Sequence, residues 1–432
     1  MNMQKKHWNV LVFPGGMENG IEIYNSLKYC KEISLFSASS PVPNQAFYLY
    51  RENAVVRDVR EDGWIDDLNR VIERNAIDLV YPANSFIIDA LNAKRRELGA
   101  PALLPEPEIL ERTRSKKKTI ECLKDSLPVP QTYASAGEIR AFPVFAKPDN
   151  GYGAQGTVLL EKEEDARKID FSSCVVQEFL PGREYTVDCF SDRDGRLLFS
   201  SGRERSRIRM ATSMHAEKVG DELDALFADY ARKILSRIKI QGAWFFQMKE
   251  DVSGVLKLLE IDVRIAGTMC YDRCKGVNFP LLSIYQFFGL PVSLSVNTAD
   301  LSLDRCLRNR YILHFDYDRV YVDLDDTLIF RGRINTDLIR FLYQCRNNGV
   351  KIILLSKNTE KDREAYLRRY RISELFDEKI WLEESAVKAA YIIPEKSIYI
   401  DDSFSQRKEA ADKLGIPTFD ASMIECLSDE RI

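Results

Sequence analysis

The chain has few of the residues that build metal or disulfide frameworks. Among 432 residues there are 3 histidines and 9 cysteines, and only Cys270 and Cys274 lie close together. No second pair or histidine cluster completes a zinc site. An odd, scattered cysteine count reads as reduced thiols in a cytosolic protein. Long hydrophobic runs are also missing. Stretches such as Val10–Phe13 and Ile352–Leu355 fall far short of the ~20 residues a membrane-spanning helix needs. Pro14-Gly15-Gly16 ends the first of them too soon for a secretory leader. Neither charge dominates: 62 Lys plus Arg against 66 Asp plus Glu leaves a net charge of −4. Without a basic arm or stripe the chain is not a dedicated nucleic-acid binder, although a few well-placed cations suffice for a small anion. There is no internal repeat and no low-complexity tract. What remains is an ordinary globular balance, 45% hydrophobic and 30% charged, in a chain long enough for two to four domains of ~100–200 residues.

Three segments follow from the patterning. Residues 1–107 alternate strand-like runs (Trp8–Phe13, Ile33–Phe36, Ile77–Tyr81) with helix-like ones (Met17–Cys30, Ile65–Arg74, Phe86–Leu98), which predicts a parallel α/β sheet. Gly15-Gly16 with Gly20 lacks dinucleotide spacing and reads as a tight turn. Pro101, Pro105 and Pro107 punctuate the end of this segment. A basic helix over Arg112–Lys124 opens the second, 108–310, whose longer strands and hairpin-like turns predict an α+β domain. Periodicity weakens near Asn297–Asp318, and βα alternation returns over 316–432.

The middle segment carries Lys147 on a strand, followed by Gly151-Tyr152-Gly153-Ala154-Gln155-Gly156 and a second strand. A lysine beside a glycine-rich loop suits a nucleoside triphosphate, because the ammonium meets phosphate while backbone N–H groups approach it. The loop is not a P-loop, since no Gly-Lys-Ser/Thr follows. Further on, Gln247 precedes Glu260-Ile261-Asp262-Val263-Arg264. Strand alternation puts Glu260, Asp262 and Arg264 on one face, and two carboxylates with a carboxamide offer the oxygen ligands Mg²⁺ prefers.

Lys116, Lys147, the Gly151–Gly156 loop, Gln177–Glu184 and Glu260–Arg264 together resemble the ATP-grasp superfamily, most closely its carbamoyl-phosphate-synthase-like and biotin-carboxylase-like members. The resemblance implies a Rossmann-like pre-ATP-grasp domain over 1–107 and an ATP-grasp fold over 108–310, with ATP and Mg²⁺ or Mn²⁺ as cofactors. By position, Lys116 and Lys147 contact the phosphates, with Gly151, Gly153, Gln155 and Gly156 in the loop above them. The Gln177 side chain and the backbone of Glu178 and Leu180 meet adenine, and Glu184 holds the ribose. Gln247, Glu260 and Asp262 hold metal, and Arg264 steadies the transferred phosphoryl group. Asp262 stands where the family usually has Asn, and Ser115 where Asp is common before the first lysine. The Gln177 carboxamide replaces a carboxylate found in some members.

Arg203, Arg205, Arg207 and Arg209 alternate along an extended stretch. In the resembling family this region faces the acceptor, so Arg203, Arg205 and Arg207 are candidate substrate ligands, with a solvated hairpin edge as the plain alternative. Asn278 is a further candidate for the acceptor pocket. His215 reads as a loop residue.

In the last segment the strand Val320–Val322 ends in Asp323-Leu324-Asp325-Asp326-Thr327, Leu354–Leu355 runs into Ser356, and Ser397–Ile400 runs into Asp401-Asp402. Three strand ends thus bring polar groups to the carboxyl edge of a parallel sheet, where α/β ligands bind. These residues resemble the haloacid-dehalogenase-like (HAD) phosphatases. The resemblance implies Asp323 as nucleophile, Asp325 as acid/base and Ser356 with Lys388 (Lys396 as the alternative) on the phosphoryl oxygens. Asp323, Asp325, Asp401 and Asp402 surround Mg²⁺, and Thr327 orients the site. The spans Thr327–Ser356 and Ser356–Lys388 are too short for a cap domain, so an uncapped HAD-like Rossmannoid domain is implied.

The chain therefore reads as a bifunctional cytoplasmic enzyme. It combines an ATP-dependent carboxylate-amine ligase acting through an acyl phosphate with a Mg²⁺-dependent phosphatase. Its partners are a small-molecule carboxylate, an amine and a phosphorylated metabolite, with no nucleic acid and no membrane; a homodimer is compatible. Such proteins resemble parts of small-metabolite pathways associated with tellurium-resistance genes. Two alternatives stand beside this reading: a carbamoyl-phosphate-synthase-like or kinase-type enzyme that releases a phosphorylated product, and a nucleotide-binding protein without turnover.

Overall fold

The computed structural model describes residues 7–151, 155–209, 212–297, 301–306 and 308–431; Gly153 of the predicted phosphate loop lies outside them. The chain forms two compact units, the second running over Arg308–Arg431. Among the described residues no helix is long and apolar enough to cross a membrane.

The first unit begins with β1 (Trp8–Phe13), α1 (Glu18–Leu27), β2 (Ile33–Ser39), β3 (Asn53–Val55), α2 (Trp64–Arg74), β4 (Leu79–Pro82) and α3 (Ser85–Ala93). The four strands are parallel in the order β3-β2-β1-β4. Alternation along β1 sends Val10 and Val12 into one core and Leu11 and Phe13 into another, as a strand covered on both faces requires. In α2, Trp64, Ile65, Leu68 and Ile72 are buried, a helical spacing that puts them on one stripe against that second core. The Val10 core also contains Phe190, Phe245 and Phe279. The first two predicted segments thus share a hydrophobic core inside one unit.

The single basic helix expected over Arg112–Lys124 is two helices, α4 (Pro107–Arg114) and α5 (Lys116–Leu123). Ser115 between them is extended, and its Oγ accepts from the Lys118 N–H, capping α5. Where a helix starts, its first N–H groups have no carbonyl partner within the helix, and a serine at the cap supplies one; the run of lysines hid that break.

A small antiparallel sheet of order β5-β8-β6-β7 follows. It is made of β5 (Thr132–Tyr133), β6 (Val144–Pro148), β7 (Val158–Leu160) and, after α6 (Glu163–Ala166), β8 (Cys174–Glu178). The larger sheet starts with β9 (Glu184–Ser191) and β10 (Leu197–Glu204). The short strands β11 (Ile208–Arg209), β12 (Thr212–Ser213) and β13 (His215–Glu217) lead to α7 (Asp221–Arg237), β14 (Gly242–Glu250) and β15 (Leu256–Asp262). The order is β10-β9-β14-β15, all antiparallel. Phe227, Ala231 and Ile234 of α7 pack on Val187, Phe246 and Met248. The unit closes with α8 (Cys270–Cys274), α9 (Phe279–Phe287) and β16 (Ser302–Asp304), which pairs with β13.

One irregularity positions the site. Gln247 pairs with Glu260, but Met248 pairs with Leu258. Leu259 is an extra residue, a bulge, and it reverses the parity of β15. Core positions run Leu256, Leu258, then Ile261 and Val263.

The second unit has a parallel sheet built from β17 (Arg319–Val322), the hairpin β18 (Ile329–Phe330) and β19 (Arg333–Ile334), α10 (Thr336–Asn347), β20 (Lys351–Ser356), α11 (Arg363–Arg369), β21 (Glu378–Trp381), β22 (Ser397–Ile400), α12 (Phe404–Leu414), β23 (Thr418–Phe419) and α13 (Ile424–Leu427). The strand order is β21-β20-β17-β22-β23. Val320 and Val322 enter one core and Tyr321 the opposite one. With both faces covered, the polar residues after Val322, Leu355 and Ile400 fall at the sheet's carboxyl edge.

Candidate active site

In the first unit a cavity of about 300 Å³ gathers Lys116, Lys147, Gly151, Gln155, Gln177, Glu178, Leu180, Glu184, Gln247 and Glu260. Helix α5 supplies the first lysine, β6 the second, β8 and the turn after it Gln177–Leu180, β9 the glutamate at 184, and β14 and β15 the pair Gln247 and Glu260 across one ladder position. Gly156, which closes the loop, has φ +70°, a conformation glycine adopts without strain. Phe145, Phe179, Leu180 and Ile208 give the cavity apolar walls.

The charged groups are poised and incompletely matched. Lys147 Nζ donates to the Leu259 carbonyl at 3.3 Å, the carbonyl exposed by the bulge. Burial pulls its ammonium down to about 8, against the pull of Glu260. Burial also lowers Lys116, which donates to the carbonyls of Asp149 (3.2 Å) and Gly151 (3.3 Å). Two lysines held partly desolvated gain most from an anionic ligand. Gln177 is 2% exposed, and its Oε1 is buried with no hydrogen-bond partner among the described residues. Glu178 accepts from the Gln131 N–H and faces Lys257. Glu184 is paired with Arg205 at 3.0 Å and Lys249 at 3.4 Å.

Other predicted residues stand elsewhere. Asp262 does not line this cavity. It is buried between Arg114 (2.8 Å) and Arg264 (2.9 Å), accepts from Ser85 Oγ at 2.7 Å, and its carboxyl is lowered despite burial because those arginines outweigh it. Arg264 is thereby an ion-pair partner of Asp262, and its guanidinium also lies over the Phe245 ring. The expected common face of Arg203, Arg205 and Arg207 does not form. Arg203 is fully buried in the sheet, in a two-pronged pair with Asp188 (2.7 and 2.9 Å). Arg205 enters the cavity, and Arg207, outside it, pairs with Asp304. β10 ends at Glu204, so alternation stops there, and Asp188 on β9 captures the first arginine. Asn278 is a helix cap: its Oδ1 accepts from the Leu281 N–H and its amide donates to the Ser26 carbonyl at 2.7 Å. His215 pairs with Glu217 and Asp304.

Three cavity or near-cavity residues escaped the sequence reading: Lys249, Arg114 and Ser85. Lys249 had a signal, since it lies two residues after Gln247 on β14 and therefore on the same face. Arg114 and Ser85 meet Asp262 from 148 and 177 residues away, and nothing local announces that.

In the second unit Asp323, Asp401 and Asp402 each bring an oxygen within 4.8 Å of the others, a grouping that can hold a metal ion. Lys388 Nζ lies 2.6 Å from Asp323 Oδ1 and 2.6 Å from Asp401 Oδ2. Burial pushes the Asp323 carboxyl up to about 7, against the Lys388 ammonium. Burial acts downward on Lys388, but Asp323 and Asp401 outweigh it and hold its proton more tightly than usual. Thr327 Oγ1 accepts from the Asp402 N–H at 2.8 Å and reaches Asp323 at 3.3 Å. Ser356 Oγ accepts from the Asn358 N–H. Asp325 is outside the three-carboxylate grouping; both its oxygens accept from the Asn358 amide, at 3.1 and 2.9 Å. Asn358 and Tyr399, whose hydroxyl donates to Asp401, were not singled out by sequence.

No curated protein matches the chain. Residues 170–304 match a family described as ATP-grasp in the biosynthetic pathway with Ter operon. The fold is similar to biotin carboxylase from Campylobacter jejuni, solved as a β,γ-ATP complex (TM-score 0.59, 16% identity, 68% of this chain and 74% of that one). It is also similar to the biotin carboxylase domain of 2-oxoglutarate carboxylase from Hydrogenobacter thermophilus, solved with MgADP, ADP and bicarbonate (TM-score 0.55, 15% identity, 66% and 70%). N5-carboxyaminoimidazole ribonucleotide synthetase from Thermotoga maritima is a third likeness (TM-score 0.52, 18% identity, 68% and 78%). Residues 170–304 thus match an ATP-grasp family, and over about two thirds of the chain the fold is similar to that of biotin carboxylase.

Proposed function

We propose that the first unit is an ATP- and Mg²⁺-dependent carboxylate-amine ligase. The observation that carries this reading is the convergence of Lys116, Lys147, Gln177, Glu184, Gln247 and Glu260, from six separate elements, on one cavity with apolar walls. The apolar walls suit a base, with the Gln177 Oε1, unpaired among the described residues, accepting from an adenine amino group and Glu184 holding the ribose. Lys116 and Lys147 neutralise the phosphates. Gln247 and Glu260 would supply oxygen ligands for Mg²⁺, which when bound would neutralise charge on the transferring phosphoryl group. Phosphoryl transfer to a carboxylate gives an acyl phosphate; an amine then attacks the carbonyl carbon and phosphate leaves. Positioning and charge neutralisation account for the acceleration, so no nucleophilic side chain is needed.

The second unit is read as a HAD-like phosphatase. Asp323 attacks phosphorus, and Lys388 with Ser356 steadies the phosphoryl oxygens. Asp325, oriented by Asn358, protonates the leaving oxygen and then takes the proton of the attacking water. The three carboxylates within 4.8 Å of one another fit a Mg²⁺ ion. The domains then run 1–107, 108–310 and 316–432. An ADP-release screen of carboxylates crossed with amines, read by mass spectrometry, tests the first activity, and hydrolysis of p-nitrophenyl phosphate tests the second. ADP release with no condensed product favours the phosphorylated-product alternative, and ATP binding without any turnover favours the binding-protein one.

A further inference from the structure

Strand alternation puts Asp262 on the face of Glu260, where the ATP-grasp resemblance expects both to hold metal. The contacts of Asp262 leave no room for a cation. It is 7% exposed. Its Oδ1 accepts from Arg114 Nη1 at 2.8 Å and from the Val263 N–H at 3.0 Å. Its Oδ2 accepts from Ser85 Oγ at 2.7 Å, and Arg264 Nε stands 2.9 Å from the same oxygen. A carboxylate has about four acceptor directions, and here each meets a donor. A divalent ion at Asp262 would have to displace a guanidinium from a buried carboxylate and then sit beside it, like charge against like.

The lysine cavity offers little in its place. Three carboxylates line it, those of Glu178, Glu184 and Glu260. Glu178 faces Lys257, and Glu184 is paired with Arg205 and Lys249. Among the described residues Glu260 is the one of the three without an ion pair, and Gln247 lies opposite it on the ladder. One carboxylate and one carboxamide suit one Mg²⁺, whose other positions go to phosphate and water. Asp262 has a different use. Arg114 ends α4, Ser115 caps α5 and Lys116 begins it. Arg114 also donates through Nε to Asp89 of α3 at 2.9 Å. The Arg114–Asp262 pair thus fastens the chain two residues before Lys116 to the strand two residues beyond Glu260. We propose that Asp262 is a positioning residue that sets Lys116 against Glu260, and that this cavity takes one divalent cation per nucleotide, at Gln247 and Glu260, a stoichiometry that rests on the nucleotide reading of the cavity.

Mn²⁺ binding to the full chain, read by electron paramagnetic resonance before and after saturation with β,γ-imido-ATP, counts the ions and needs no variant. Ions held by the second unit's carboxylates contribute to both counts and cancel in the difference. The nucleotide is expected to add one Mn²⁺ per chain, with no spin coupling to another ion. Two added ions, or the exchange-coupled spectrum of a pair about 3.5–4 Å apart, overturn the proposal and leave the nucleotide reading standing. No added ion overturns both. Asp262→Asn keeps the shape, removes the charge and tests the positioning role. It is expected to weaken β,γ-imido-ATP binding about tenfold, the loss of one charge-assisted hydrogen bond. It should leave adenosine binding unchanged, because Lys116 meets only phosphate, and leave the ion count at one. Added to Lys116→Met, it should cause no further loss. Equal weakening of adenosine, or losses that add, overturn the positioning role. Should Asp262→Asn not fold, Arg114→Lys breaks the same two-residue link with the charge kept and carries the same expectations.

Discussion

In the first unit Glu260 faces two lysines delivered by different elements, α5 and β6, and each ammonium rests on backbone carbonyls. In the second unit one lysine, Lys388, lies 2.6 Å from each of two buried carboxylates. The titration behaviour differs accordingly. Burial pulls Lys147 down to about 8, whereas Lys388 is held above its usual value by its two carboxylates. One carboxylate facing two lysines leaves a cleft with positive charge to spare for an anion. A cation locked between carboxylates is part of the fold's own charge balance. The first arrangement favours binding a polyanion, and the second favours keeping a compact acidic centre together.

The largest effects separate the two centres outright. Asp323→Asn is expected to cut p-nitrophenyl phosphate hydrolysis at least about a thousandfold and spare ADP release, while Glu260→Ala does the reverse. Loss of both activities from either change in a folded protein would break the two-site comparison. Next come the lysines. Lys388→Met leaves Asp323 and Asp401 buried without their cation, and thermal unfolding should report a loss of about 3–5 kcal/mol. Lys147→Met should leave apo stability nearly unchanged, because its ammonium is already disfavoured by burial, and should weaken MgATP binding sharply in titration calorimetry. Equal stability losses would erase the distinction.

A buried charge cluster in the first unit, outside the lining of the lysine cavity, supplies a control. Asp272 lies beside the Arg203–Asp188 pair, and burial, then Asp188, raise its carboxyl well above the usual range. Its folded value exceeds its unfolded one, so the folded state binds the extra proton. That stabilisation is full below about pH 4 and is lost as pH rises toward the folded value. Asp272→Asn should therefore flatten the decline in stability between pH 5 and pH 8, as read by urea unfolding. An unchanged slope would show that Asp272 ionises freely. The smallest effect is Ser115→Ala, about 1 kcal/mol for a lost helix cap. It should also raise the KM for ATP, since Lys116 begins that helix.

Legibility in the sequence followed how local each feature is. The strand ends at Asp323, Ser356 and Asp401 read directly, because a buried apolar run followed by carboxylates needs no distant partner to be recognised. Lys147 and Glu260 read for the same reason. The Arg203–Asp188 pair did not, because cross-strand register decides which arginine of an alternating set is swallowed by the sheet. Asp262 reads as a metal ligand in sequence, but Arg114 and Ser85, 148 and 177 residues away in the chain, occupy its oxygens. The helix break at Ser115 was masked by lysines with good helical propensity on its far side.

The bulge at Leu259 has a further consequence. The acceptor it offers Lys147 is a main-chain oxygen, so the contact is written in chain length and not in side-chain identity. Position 259 should tolerate many residues in a saturation library. Removing it altogether would close the ladder, take away the resting place of the ammonium, and register as a deletion phenotype that no substitution at the same position reproduces.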